Sequence, residues 1–162
     1  MAIKMRRAWT KYDVFLSFSG SNVRKGFVDH LYRALTAGNE IRVFHDAHQL
    51  KKGDDINATL KHAIECSRIR IPILSPDYAS SVWCLKEAHL IATQVRGRAI
   101  PLFYKMAPWQ VRHPERHGSP FAQAFQDHES GGIHNAEDIE RWRCALFKVS
   151  NLSGWTLEDT NG

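Results

Sequence analysis

The sequence predicts an α/β fold, a flavodoxin-like parallel sheet of four to five strands in the order 2-1-3-4-5 with helices on both faces. Short apolar runs alternate with longer stretches of helical periodicity, which is the pattern of strand-helix-strand units. Each run is nearly continuous in its apolar character, so its strand is buried on both sides. Right-handed crossovers between parallel strands then place helices above and below the sheet.

The elements follow in order. Tyr12 to Phe18 is a β-branched and aromatic run closed by Ser19, Gly20, Ser21 and Asn22, a first strand feeding a turn and a helix start. Phe27, Leu31, Ala34 and Leu35 recur at helical spacing as the core face of that helix, which Gly38 and Asn39 end. Ile41 to Phe44 is a short second strand, and a polar loop from Asp46 to Asp55 leads to a helix with Ile56, Leu60, Ala63 and Ile64 on its apolar face. Ile69 to Leu74 is the third strand, broken by Ser75, Pro76 and Asp77, and a helix beginning near Ser81 runs to about Val95. Ala99 to Phe103 is the fourth strand. Met106 to Pro120 holds three prolines and reads as a long irregular loop before a short helix over Phe121 to His128. After the Gly131-Gly132 break, Ile139, Trp142, Leu146 and Val149 mark the last helix, and Gly154 to Leu157 supplies a short fifth strand. Residues 12–157 are expected to form one domain, with 1–11 and 158–162 as tails.

Composition narrows the classes. The chain has 162 residues, 43% hydrophobic and 24% charged, near the averages of a globular domain able to bury its own core. Its longest apolar runs fall far short of the roughly 18 residues a membrane-spanning helix needs, and no secretory signal is visible. Cys66, Cys84 and Cys144 are odd in number and widely spaced, which fits a reducing compartment better than a disulfide framework. The expected location is the cytoplasm, with the nucleus as the alternative. His113 and His117 lack the further ligands a zinc site requires, so no metal is expected. The formal charge of +5 favours anionic partners, but the cations are scattered, with small clusters at Lys4 to Arg7 and Lys51 to Lys52, which favours a solvated mixed-charge surface over a dedicated nucleic-acid face.

In a sheet of this order ligands bind beyond the carboxyl ends of the strands, between the first and third, so the loops at Ser19 to Asn22 and Ser75 to Ser80 are expected to frame a site. Phospho-acceptor chemistry on this architecture needs an acidic pair after the first strand and an aspartate ending the third. Ser19, Gly20 and Ser75 stand there instead, which excludes it.

Tyr12 to Gly20, with Arg24 and Phe27, resembles the opening motif of plant-type TIR domains, in which an arginine usually stands at the place of Ser19. Phe44 to Asp46 with Leu50 to Gly53 resembles the family's second strand and mobile loop, and Tyr78 to Glu87 its central signature. Pro101 to Tyr104, Val111-Arg112, Gly118, Phe121 to Phe125 and Trp142 to Trp155 continue the resemblance in order. Ser19, Ala107, Trp109 and Ala88-His89 depart from the pattern, as in a divergent branch; a domain standing alone and one fronting a nucleotide-binding, leucine-rich-repeat receptor are both open.

The resemblance implies an immune-signalling enzyme that cleaves the nicotinamide-ribose bond of NAD⁺, giving nicotinamide with ADP-ribose, cyclic ADP-ribose isomers, or both. It makes Glu87 the catalytic carboxylate. The bond already carries a cationic leaving group, so cleavage through an oxocarbenium-like transition state calls for a carboxylate near the ribose and no strong acid. Glu87 lies one turn beyond Trp83 on the same helix face; from spacing alone it reads as a solvated glutamate, and the resemblance reverses that reading. Trp83 reads as core or as pocket wall. Phe18, Ser19, Gly20 and Ser21 can bring backbone N–H groups to a ribose or phosphate, or can be a simple turn capped by Ser21 or Asn22. The resemblance makes the Lys51 to Asp55 loop mobile and in contact with a neighbouring subunit, with Gly53 as hinge. Activity is expected on self-association, dimer to tetramer, through the first and last helices, with Asp29, His30 and Tyr32-Arg33 on the exposed side of the first. A non-catalytic homotypic adaptor and a nucleic-acid-dependent cyclic-nucleotide synthetase are the alternatives.

Overall fold

The computed structural model describes residues 9–45 and 56–157, apart from the side chains of Asn22 and Ile56. The strands are β1 (Tyr12–Ser17), β2 (Val43–Phe44), β3 (Ser67–Leu74), β4 (Arg98–Ala99), β5 (Leu102–Tyr104) and β6 (Trp155–Leu157). The sheet runs β2-β1-β3-β5-β6, with β4 also paired to β3, and every pairing is parallel. The expected fourth strand is therefore present in two pieces. Ile69 pairs with Arg98 and Ile73 with Leu102 in one continuous register, interrupted where Pro101 has no N–H to donate. Counted as one broken strand, β4 and β5 give the expected order 2-1-3-4-5.

The helices are α1 (Ser21–Val23), a π-turn over Arg24–Val28, α2 (Asp29–Thr36), α3 (Ile56–Glu65), α4 (Val82–Thr93), α5 (Pro108–Arg112), α6 (Phe121–Ser130) and α7 (Ala136–Ser150). Strand alternation sorts them into two layers. Val14, Leu16, Val43, Ile73 and Leu102 point to the α1–α2 side, packing with Val23, Val28, Phe27 and Leu31. Phe15, Phe44, Leu74 and Phe103 point the other way, into a larger core with Leu60, Leu85, Ile91 and Trp142 from α3, α4 and α7. Ile139, Trp142, Leu146 and Val149 of α7 are all buried there, as their spacing predicts.

Two expectations are corrected, the core face of the first helix and the irregular Met106 to Pro120 loop. Ala34 is exposed and Tyr32 is packed inward against the core, with its ring 4.0 Å from that of His45. The π-turn adds a residue to the helical repeat, so beyond it the inward face is the series Val28, Leu31, Tyr32 and Leu35, which leaves Ala34 outside it. The first and last helices lie on opposite faces of the sheet, α2 packed in one core and α7 in the other. The β1-to-β2 connection runs in the opposite direction along the sheet from β5-to-β6, and right-handed crossovers therefore put the two on opposite faces. Finally, the Met106 to Pro120 loop contains α5, with Pro108 in its first turn. The Gln110 side chain accepts from the Ala107 N–H at 2.8 Å and donates to the Gly118 carbonyl at 2.9 Å, which ties the segment down.

Candidate active site

Beyond the carboxyl end of β1, Gly20 holds φ at +93°, a value glycine adopts without strain, and the chain turns there directly into α1. Gly20 itself occupies the cap position with no side-chain hydrogen bond, so Ser21 is the first helical residue and not a cap. On the other side Ser81 does cap α4, its hydroxyl accepting from the Cys84 N–H at 3.3 Å. These two helix starts face each other across a cavity of about 250 Å³.

Phe18, Ser19, Gly20, Trp83 and Glu87 all line this cavity, together with Arg24, His45, Leu60, Ser81 and Cys84, which sequence reasoning did not assign to it. Ser21 is not among its lining residues. Gly53 and the rest of Lys51 to Asp55 lie outside the described residues, as does Asp46. The Ser75 to Ser80 segment supports the site from beneath: Tyr78 and Ala79 are fully buried, and Ser81 is the residue that reaches the opening.

Trp83 is 43% exposed, which removes the core reading and leaves it as a wall. The Lys86 ammonium lies 5.8 Å from its ring centroid. Glu87 is half-buried, and desolvation of its carboxyl pushes it up to about 7, with the nearby Ser17 hydroxyl acting in the opposite direction. Ser17 Oγ lies 2.7 Å from the Tyr78 hydroxyl, both side chains being buried. Cys84 donates through Sγ to the Phe18 carbonyl at 3.3 Å. Burial, followed by the nearby Glu87, pushes its thiol up to about 12, so it is no nucleophile at neutral pH. A second cavity of about 380 Å³ shares Leu60, Trp83 and Glu87 with the first and opens toward Lys86, His134 and Trp142.

Ser17 and Tyr78 are the members of this arrangement that residue-type reasoning passed over. One signal for Ser17 was available: strand alternation places it with Phe15, on the face that carries α4.

Of the residues expected at a subunit interface, His30 and Arg33 are exposed on α2, whereas Asp29 is half-buried.

A doubly covered parallel sheet with a carboxylate-walled cavity at the point where strand order reverses defines a flavodoxin-like α/β domain. Residues 11–162 match the TIR domain family, and the chain belongs to it. It is 41% identical over 146 residues to TMV resistance protein N of Nicotiana glutinosa, covering 88% of this chain and 12% of that protein. With disease resistance protein RPV1 of Vitis rotundifolia the identity is 44% over 153 residues, covering 93% of this chain and 10% of the relative. The chain thus spans about a tenth of these relatives' length. Among solved structures, the TIR domains of the activated Roq1 resistosome directly recognizing the pathogen effector XopQ superpose with a TM-score of 0.80 at 38% identity, covering 93% of this chain and 90% of that one. The TIR domain of the Toll-related receptor TRR-2 from Hydra magnipapillata shares the fold, with a TM-score of 0.51 at 23% identity over 59% of this chain and 73% of that one. Among the described residues no helix is long and apolar enough to cross a membrane.

Proposed function

We propose that this domain is an NAD⁺ nucleosidase of plant immune signalling, with Glu87 as the carboxylate that stabilises the ribosyl cation as nicotinamide departs. The observation that carries this reading is the placement of Glu87: a withdrawn carboxyl on the wall of the switch-point cavity, one turn from an exposed indole. A carboxylate held out of bulk water acts on developing positive charge more strongly than a solvated one. The cationic nicotinamide ring of the substrate also favours the ionised form of Glu87 once bound. Trp83 offers a flat apolar face to that ring.

The cavity is smaller than the roughly 300–1,000 Å³ of pockets that enclose a drug-sized ligand, so it takes the nicotinamide riboside end and leaves the rest of the dinucleotide outside. That division gives self-association a purpose, because a neighbouring copy can supply the missing walls. The relatives named as disease resistance proteins and the neighbour named as an activated resistosome support an assembled immune role. His30 and Arg33 on α2 are the exposed side chains we assign to that contact. Incubating the purified domain with NAD⁺ and separating the products by chromatography tests the reading. Release of nicotinamide is expected. Intact NAD⁺ in the presence of self-associated protein would leave a non-catalytic homotypic adaptor.

A further inference from the structure

We propose that Ser17 and Tyr78 are positioning residues for Glu87, forming a buried hydrogen-bond chain in which the Tyr78 hydroxyl donates to Ser17 Oγ and the Ser17 hydroxyl donates to the Glu87 carboxylate. The inference rests on the reading of Glu87 as the working carboxylate, and it names what holds that carboxylate in place.

The geometry comes from three elements. β1 alternates, so Ser17 shares the face of Phe15 and looks toward α4, where Glu87 sits. The 3₁₀ turn over Tyr78–Ser80 carries the phenol beneath the same point, with Ser17 Oγ and Tyr78 Oη 2.7 Å apart. Ser17 is 1% exposed and Tyr78 0%, so water does not compete for either hydroxyl. Proton bookkeeping then fixes the direction. An ionised carboxylate only accepts, so Ser17 must give its single proton to Glu87 and accept from Tyr78. Tyr78 is suited to the donor role, because burial, with Cys84 and Glu87 nearby, holds its phenol well above the ordinary value and keeps it protonated.

Chains of this kind polarise one another, and each bond fixes the rotamer of the next. A glutamate has three side-chain torsions, and a withdrawn one without a partner would be both mobile and protonated at neutral pH. The other titratable groups around Glu87 do not substitute for the chain. Cys84 stays a thiol, Arg24 and His45 line the first cavity, and Lys61, Lys86 and His89 line the second. From α7 and the residues before it, His134, Asp138 and Arg141 complete that second wall, Arg141 being paired with Glu137 and Asp138 at 2.6 and 3.1 Å.

The test is a carbon-detected NMR titration of the Glu87 carboxyl in glutamate-labelled domain, assigned by its loss in Glu87→Gln. In Ser17→Ala the midpoint should rise by about one pH unit, the loss expected of one charge-assisted hydrogen bond. In Tyr78→Phe, which keeps the ring and its packing, it should rise by roughly half that, because Ser17 is no longer held. Ser17→Thr retains the hydroxyl and should restore the wild-type midpoint. Midpoints of Ser17→Ala and Tyr78→Phe both unchanged, or a downward shift in Ser17→Ala, would overturn the proposal. The titration needs no turnover. Shifted midpoints in a domain that never cleaves NAD⁺ would leave the chain standing and remove the enzymatic reading, whereas unshifted midpoints in an active enzyme would do the reverse.

Discussion

Trp83 and Glu87 stand one turn apart on α4 and, with Leu60, line both of two adjoining cavities, the indole open to solvent and the glutamate half-buried. This shared wall makes the consequences of altering either side chain separable.

Glu87→Gln keeps the shape of the side chain and removes its charge. If the carboxylate stabilises the ribosyl cation, NAD⁺ cleavage should fall at least a hundredfold, corresponding to about 2.7–4 kcal/mol of transition-state stabilisation, with an unchanged circular dichroism spectrum. Nicotinamide release by a folded Glu87→Gln domain within threefold of wild type would make Glu87 a bystander.

The pH profile should carry the same residue's signature. Glu87 works ionised, and its carboxyl is pushed up to about 7, so kcat/KM should climb as pH rises through neutrality and level off near pH 8. An ascending limb centred near pH 4.5, the value of an unperturbed glutamate, would show that burial does not act on it in the free enzyme.

Stability should move in the opposite sense. The folded-state value lies above the unfolded one, so the native state binds the extra proton between about pH 4.5 and 7 and stability falls across that window as pH rises. Glu87→Gln avoids this loss. At pH 8 its unfolding free energy should exceed that of wild type by on the order of 3 kcal/mol, with a correspondingly higher melting temperature, and the two should converge below pH 4.5. A Glu87→Gln domain less stable than wild type at pH 8 would contradict the burial argument.

Assembly has its own readout. His30 and Arg33 are exposed on α2, away from the cavity. With a neighbour completing the site, specific activity should rise more than linearly with protein concentration, and His30→Ala should flatten that rise while leaving the melting temperature within about a degree. Activity strictly proportional to concentration in both proteins would point to a self-sufficient monomer.

The strands were legible because buried parallel strands leave apolar runs too short for a helix and bounded by turn residues, and Ile69 to Leu74 lies within the observed β3 despite Pro72. The first helix was misread at Ala34 and Tyr32 because its periodicity assumes 3.6 residues per turn throughout, and the π-turn rotates the face so that Tyr32 turns inward and Ala34 outward while Leu31 and Leu35 stay on the core side. At the candidate site, Glu87 and Trp83 were visible as a spacing on one helix. Ser17 and Tyr78 are 61 residues apart and meet only through the pairing of β1 with β3, so no local pattern could join them. Trp83 was ambiguous for a different reason: an indole is as much at home in a core as at an opening, and only the packing around α4 decides.

The three residues of β6 have an effect out of proportion to their length. Gly154 lets the chain pass so close to Pro101 that a Cβ there would fall 2.0 Å from its carbonyl oxygen, and the Trp155 N–H then donates to that same oxygen at 3.1 Å. With β6 in place, Leu102, Phe103 and Tyr104 belong to an interior strand. A chain ending before Gly154 would turn that apolar trio into a bare border with unpaired backbone groups, a template on which further copies could add strand to strand. Shortened versions of this domain should therefore precipitate while their helices are still intact, and where the polypeptide is cut will decide whether it remains dispersed.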